Sequence, residues 1–520
     1  MIPSGHPIHL QNVFSSSARY FGDRTAIVFG NGNERTHREL YRRGLRLAAG
    51  LESLGLRRQD RIAVLSMNTV EFIESYVAGW CAGIIVATVN FRLAVPEILY
   101  ILNDVSPRLL IVEAQYLPIV EEIRDQVRGL EHIVVIGGSG HGLLDFETLI
   151  TDAPADQPSF ATSEDDIAAL LYTSGTTGRP KGCILGQREL AFNTQVIAQG
   201  QGNRAEDRFL CVMPLFHIGG MSLILSVLAK GGTVFVHRQF DPVQVIDTLE
   251  RERINMILLA PTMVQMVLER PEIEGRDLTA LESVFYSAAP MPSTVLRRGI
   301  ARLGQVFLQE LGSSEGCSIA YLPRSLHQPD GTPKEQARLT SVGFPFPTVG
   351  LRVVDENGVD CAAGEPGELL LKSPVMFRGY WNNSIATAEA VRDGWFHTGD
   401  IGRFDEDGFL YLVDRKKDMI ISGGENIYSR EVEEAILTHP AVSEVAVIGL
   451  PDETWGETVC AVIVLVPGKA ATESEIIQHT RSLIASYKKP STVRFVAALP
   501  KIASGKVDKK VLRTEHAQAR

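Results

Sequence analysis

The stretch that most limits how this chain can fold runs from Leu170 to Gly182 and reads LLYTSGTTGRPKG. An apolar run, Ile167 to Tyr172, predicts a buried strand, and it opens directly into Thr173, Ser174, Gly175, Thr176, Thr177 and Gly178. Small residues of this kind leave backbone N–H groups and hydroxyls uncovered, which suits a polyphosphate. Gly175 and Gly178 allow close approach to an anion, Arg179 and Lys181 add positive charge, and Pro180 stiffens the exit. A flexible linker is the alternative reading, but linkers seldom follow a buried strand at once or end in a basic pair. The phosphate loop of kinases and GTPases needs GxxxxGK[ST]. Here only Thr176 and Thr177 separate the glycines, and Gly182 follows the lysine, so the loop is of another design.

The chain around this loop alternates short apolar runs with helical patterns. Arg61 to Ser66, Ile84 to Val89, Leu109 to Glu113 and His132 to Ile136 precede it; Phe209 to Met213, Thr233 to His237, Met256 to Ala260 and Ser283 to Ser287 follow. Such alternation predicts an α/β fold with parallel sheets covered by helices. Several runs end in small or polar residues, as in PLFH (214–217), APT (260–262), SAAP (287–290) and LGSSE (311–315). Ligands of open α/β sheets collect at the carboxyl ends of strands, so these ends could converge on one crevice. The cluster GGSGHG at 137–142 lacks GxGxxG spacing and reads as a surface turn.

From Val342 onward, shorter strands and Gly-containing turns predict a β-rich subdomain. After DGWFHTGD at 393–400 and a hairpin-like stretch at 408–413 comes the charged run DRKKD at 414–418, which reads as a solvated face or a linker. The last hundred residues predict a small α+β unit, with LPKIASGK at 499–506 on an exposed loop.

At 520 residues the chain is too long for one typical core, so at least two domains are expected. A formal net charge of −11 leaves no overall footprint for nucleic acid or an anionic membrane, and no run of about 20 apolar residues could span a bilayer. The six cysteines lack CxxC spacing, which argues against a disulfide framework or zinc site and for a reducing, cytoplasmic compartment. MIPSGHPIHLQNVF at the start has neither a basic leader nor a long apolar core, so no signal peptide is expected.

Taken together, these stretches resemble the acyl-adenylate-forming superfamily, which includes acyl-CoA synthetases, the adenylation domains of peptide synthetases and luciferases. The likeness is collinear from about Thr36 to Arg513. It implies an N-terminal AMP-binding domain at 1–413 made of parallel-sheet layers and a β-rich subdomain, a hinge at 414–418 and a small mobile α+β domain at 419–520. It also implies a two-step reaction: a carboxylate attacks the α-phosphate of ATP to give acyl-AMP and pyrophosphate, and a thiol then displaces AMP. Thr173 to Lys181 would hold the β- and γ-phosphates, Ser314 would contact the α-phosphate, and Glu315 would help to hold Mg²⁺. Asp400 would accept from the ribose hydroxyls with Arg415 as a donor nearby. Ser287, Ala288, Ala289 and Pro290, with Leu311 and Gly312, would border adenine. Lys506 would reach the substrate carboxylate and α-phosphate from the mobile domain.

After rotation at the hinge, Ser422, Gly423 and Gly424 would line the pantetheine tunnel, and His217 would border the acyl pocket; a plain core histidine is its alternative. Leu311 stands where the family often has an adenine-stacking Tyr, and Ser429 replaces a common Pro. With 14 residues after Lys506 no fused carrier domain is expected, so coenzyme A is the expected acceptor, with a separate carrier protein as the alternative. The stretch Cys211 to Met221 has no Asp to hold an amino group, which argues against amino acid substrates. The expected pocket lining, His217 to Met221, Thr262, Met263, Ser287, Ala288, Leu311, Gly312 and Cys317, is neutral and fits an apolar tail, fatty or aromatic. A non-catalytic acyl or nucleotide sensor and a luciferase-like oxygenase are the competing classes, and a homodimer is compatible with the resemblance.

Overall fold

The computed structural model describes residues 8–30, 32–138, 142–173, 179–422, 425–452, 455–502 and 506–517. Two large sheets form its centre. One has seven strands in the order Leu144–Asp145, His132–Ile136, Leu109–Glu113, Arg61–Leu65, Ile85–Thr88, Ile167–Thr173 and Lys181–Gly186. All its neighbours are parallel except the last pair, which is antiparallel. The other has nine strands, with six parallel ones in its middle: Phe307–Ser313, Ser283–Tyr286, Met256–Leu259, Arg208–Cys211, Thr233–Val236 and Thr25–Phe29. The runs read as strands are therefore strands, and they lie parallel as the alternation predicted.

The sequence of Arg61–Leu65 shows why both faces are covered. Ile62 and Val64 point into the core between the sheets, while Ala63 and Leu65 point into a second core on the outer face. A strand buried on both sides needs a continuous apolar run rather than alternation. Between the sheets the helices His37–Ser53 and Val70–Ala82 pack closely enough that a Cβ on Gly44 would lie 2.4 Å from Val77 Cγ1. Thr36 starts the first of these helices with a capping box to Glu39, which satisfies two terminal N–H groups.

A third sheet is antiparallel and built from Gly350–Val354, Gly367–Lys372, Val391–Arg392, Trp395–Phe404 and Leu410–Arg415. The strands from Ile420 onward form a sheet of their own, Ile420–Ser422, Glu425–Ile427, Val442–Asp452, Gly456–Leu465 and Thr492–Phe495, covered by Ser429–Leu437, Glu473–Leu483 and Lys509–Ala517. Its cores, around Val447 and Ile463 on one face and Ile448 and Val462 on the other, are separate from those of the large unit. The molecule is thus a large N-terminal α/β unit with a β-rich part and a small α+β C-terminal unit. Among the described residues no helix is long and apolar enough to cross a membrane, and all six cysteines are free.

Candidate active site

Thr173 pairs directly with Lys181 in the antiparallel pair formed by Ile167–Thr173 and Lys181–Gly186. Ser174, Gly175, Thr176, Thr177 and Gly178 themselves lie outside the described residues. The loop's base is tied to the other large sheet by one segment. Phe377 N–H donates to the Glu315 carbonyl at 2.8 Å, Ile184 N–H to Gly379 O at 2.9 Å, and Trp381 N–H to Gly182 O at 2.7 Å. From that segment the Tyr380 hydroxyl donates to Glu315 Oε1 at 3.1 Å, while the Lys181 ammonium sits 4.9 Å over the Tyr380 ring. Burial, and then the Glu315 carboxylate, push the Tyr380 pKa up, so its hydroxyl stays a donor. Cys183, buried beside Glu315, likewise has its thiol pushed far up by burial and remains uncharged.

Glu315 stands in the turn between Phe307–Ser313 and Cys317–Leu322, where the Ser313 hydroxyl accepts from Gly316 N–H at 2.8 Å. Ser314 is buried and Gly312 exposed. A Cβ at Gly312 would lie 2.8 Å from the Cys317 carbonyl oxygen, so no side chain fits at that point. The adjacent strand end, Ser287 to Pro290, holds Ala288 at φ +74°, a left-handed conformation that costs a non-glycine residue roughly 1–2 kcal/mol.

Asp400 and Arg415 face each other across the pairing of Trp395–Phe404 with Leu410–Arg415, with Arg415 Nε 2.6 Å from Asp400 Oδ1. Burial pushes the Asp400 carboxyl up, and Arg415 and then Lys506 oppose it. The Lys506 ammonium is pushed below the ordinary lysine value by burial and then by Arg415, while Asp400 and Glu315 act the other way. Lys506 nevertheless keeps exposed surface. Protein crowds the ammonium at the crevice mouth without sealing it from water, which softens the effect of burial. His217 starts the helix Ile218–Ala229, its Nδ1 accepting from Gly219 N–H at 3.4 Å. Burial, with Lys506 adding to it, pushes this imidazole down to about 4, so it is neutral at pH 7.

The structure thus brings Thr173, Lys181, Ser314, Glu315, Asp400, Arg415, His217 and Lys506 to one crevice at the carboxyl ends of the parallel strands. Ser422 belongs instead to the C-terminal sheet, opposite Glu425 and Gly456; Gly423 and Gly424 lie outside the described residues. Leu311 turns toward Val342 and Leu351 in a small apolar cluster. The charged run is more than a solvated face: Arg415 meets Asp400, Lys416 meets Glu368 at 3.0 Å, and Asp418 meets Arg513 at 2.8 Å. Sequence reasoning passed over Tyr380 and Arg430, whose guanidinium donates to Leu412 O at 2.9 Å and acts on Asp400. Only the aromatic pair Tyr380–Trp381 after a glycine marked that segment, and neither residue carries a charge or a recognisable spacing.

Comparison with known proteins gives the chain's family. The family model for AMP-binding enzymes matches residues 14–381, and that for the AMP-binding enzyme C-terminal domain matches 431–506. A feruloyl-CoA synthase from Amycolatopsis sp is 36% identical over 499 residues, covering 95% of this chain and 96% of the relative. A fatty acid–[acyl-carrier-protein] ligase, ScoC from Streptomyces coeruleorubidus, is 34% identical, covering 94% and 93%. Among solved structures, ATP-bound MatB from Rhodopseudomonas palustris superposes with a TM-score of 0.89 at 29% identity, covering 98% of this chain and 99% of the other.

Proposed function

Because the chain belongs to the acyl-adenylate-forming superfamily of AMP-binding enzymes, we propose that this AMP-forming acyl-CoA synthetase takes a fatty or aromatic carboxylic acid as its substrate, with this crevice as the place of both half-reactions. The observation that carries the reading is the position of Lys506. It comes from the small C-terminal unit, yet its ammonium acts on Asp400 and is acted on by Glu315, both from the large unit. A cation delivered there from a second domain suits a step in which negative charge gathers between a carboxylate and an α-phosphate.

In the first step a carboxylate oxygen attacks the α-phosphorus and the bond to the β-phosphate oxygen breaks, giving acyl-AMP and pyrophosphate. Lys506 would neutralise charge on the entering carboxylate and α-phosphate, and Ser314 would donate to an α-phosphate oxygen. Thr173 to Lys181 would hold the departing pyrophosphate. Asp400, kept oriented by Arg415, would accept from the ribose hydroxyls. Ser287 to Pro290, Leu311 and Gly312 would border the adenine. His217, neutral, would border the acyl chain as a hydrogen-bonding wall.

Glu315 suits Mg²⁺. Its carboxylate is a hard oxygen donor fixed by the Tyr380 hydroxyl, and no group of three or more metal-ligating side chains occurs among the described residues. That matches an ion held by one carboxylate, substrate phosphates and water rather than by a protein cage. When bound, Mg²⁺ supplies charge neutralisation of the triphosphate.

In the second step the thiol of coenzyme A attacks the acyl carbonyl and AMP leaves. This reading divides the chain into 1–413, a hinge at 414–418 and a mobile domain at 419–520, and rotation at the hinge would bring Ser422, Gly423 and Gly424 to the pantetheine path. A separate carrier protein is the second reading for the acceptor, favoured by the likeness to ScoC. We place the enzyme in the cytoplasm, with a homodimer as the assembly to be tested by light scattering. A broad carboxylic-acid panel with ATP, Mg²⁺ and coenzyme A, read by mass spectrometry, should yield acyl-CoA and AMP. ATP binding without acid-dependent pyrophosphate release from any acid would sink the reading in favour of a sensor.

A further inference from the structure

Glu310 has no part in the chemistry above, yet it is an unusual residue to find inside this unit. Its carboxyl is deeply enclosed, and that enclosure pushes its pKa up, while the residue still keeps accessible surface. His217 combines the same two properties.

Glu310 has no cationic partner among the described residues. Its Oε1 accepts from the Ser318 hydroxyl at 2.9 Å and its Oε2 from Gln201 Nε2 at 3.0 Å. A carboxylate offers about four lone-pair directions, so acceptor capacity is left over. The amide oxygen of Gln201, a residue only 8% exposed, has no partner among the described residues. Two acceptors thus sit together in a place where an unmet polar group is costly.

The backbone places these acceptors relative to the reacting end. Glu310 and Gly312 are two apart in the strand Phe307–Ser313 and so share a face. Ser318 pairs with Gly312 and its hydroxyl reaches Glu310, which confirms the common face. That face looks toward the helices Gln187–Gln201 and Ile218–Ala229: Ser318 N–H donates to Asn193 Oδ1 at 3.3 Å, and Asn193 Nδ2 to the Ser222 hydroxyl at 3.4 Å. The second helix begins beside His217, where a Cβ at Gly219 would be in ordinary contact with Leu258 Cδ2 at 3.5 Å and His217 Nδ1 at 3.8 Å. An acyl tail entering past Gly312 and His217 therefore meets Glu310 about 7 Å further along the strand.

We propose that the acyl pocket ends on Glu310 and Gln201, and that the acid this enzyme prefers carries a hydrogen-bond donor, a hydroxyl or N–H, at the end remote from its carboxyl group. This extends the adenylating reading to a substrate class and rests on it. A wholly apolar tail would leave the Gln201 amide oxygen unpaired and the spare lone pairs of Glu310 unmet, whereas a donor would satisfy them; sites built on such groups discriminate strongly against analogues that lack the partner.

The test compares paired acids: 4-hydroxybenzoate, 4-hydroxyphenylacetate, 4-hydroxycinnamate and 10-hydroxydecanoate against the parents without the hydroxyl and the methyl ethers of each. In the wild type at least one hydroxy acid should exceed both its parent and its methyl ether by about tenfold or more in kcat/KM for pyrophosphate release. Glu310→Leu should collapse that ratio at least tenfold, and Glu310→Gln, which keeps one acceptor, should lose less of it. Thermal melting of both variants checks folding, and Glu310→Gln carries the test should Glu310→Leu fail to fold. Turnover with no preference in any pair, or the same ratio in the variants as in the wild type, overturns the proposal and leaves the ligase reading standing. Pyrophosphate release from no acid of the broad panel would overturn both.

Discussion

Lys506 shows how much one side chain's surroundings matter to the proposed chemistry. Its charge is useful in the adenylating step only while protonated, and burial together with Arg415 lowers its pKa from 10.5. The activity it supports should therefore fall as pH rises through a value below the ordinary lysine range, and Lys506→Ala should lack that basic limb. The same variant should lose about 10²–10³ in the rate of pyrophosphate release, the usual cost of one preorganised charge contact. Thioester formation from supplied acyl-AMP should be largely spared, which single-turnover measurement of each half-reaction would reveal. Equal loss in both would count against two domain orientations. His217 behaves differently: with a pKa near 4 it does not titrate in this range, so no limb near neutral pH belongs to it.

At the scale of elements, the helix Ser429–Leu437 is the joint between the two units. Ser429 is fully buried at its first position, and both its N–H and its hydroxyl bond Asp414, the hydroxyl at 3.1 Å. Lys509 then donates to the same hydroxyl at 2.6 Å and pairs with Glu433 at 2.7 Å. Proline is well suited to the first helical position, but it has no N–H and no hydroxyl. Ser429→Pro should therefore keep the helix while releasing its tie to the strand Leu410–Arg415. With two hydrogen bonds to Asp414 lost, each worth about 1 kcal/mol net, the expected effect is a drop of roughly thirtyfold in adenylation relative to thioester formation, measured as the ratio of the two half-reaction rates. An unchanged ratio would show that Asp414 does not help to hold this orientation.

At the scale of the whole molecule, two sheets and the helices between them fix the strand ends to which the site belongs. Glu74, with a fully buried side chain, locks that interior to its edge: Arg43 Nε lies 2.6 Å and Arg35 Nε 3.0 Å away. Removing one partner of a buried pair typically costs 3–5 kcal/mol, and both guanidinium groups here retain some water contact. Glu74→Ala should thus cost about 3 kcal/mol, near the low end of that range, read as a lower urea midpoint with an unchanged slope; a shift within error would mean that water already screens the pair.

The apolar runs and their alternation were legible in sequence because burial on both faces demands continuous apolar strands, and Ile62, Ala63, Val64 and Leu65 can be read as such without coordinates. Glu315, Asp400 and Lys506 stand out in the sequence as charges within motifs, and the structure brings them close to one another. Tyr380 and Glu310 were not legible. Each acts through neighbours from distant parts of the chain, Tyr380 joining Lys181 to Glu315 and Glu310 joining Gln201 to Ser318. Local patterning specifies strands, turns and charged motifs because those depend on neighbours in sequence. Which carboxyl is buried without a cation, and which aromatic ring lies under a lysine, depends on how the sheets meet, and only the tertiary structure decided it.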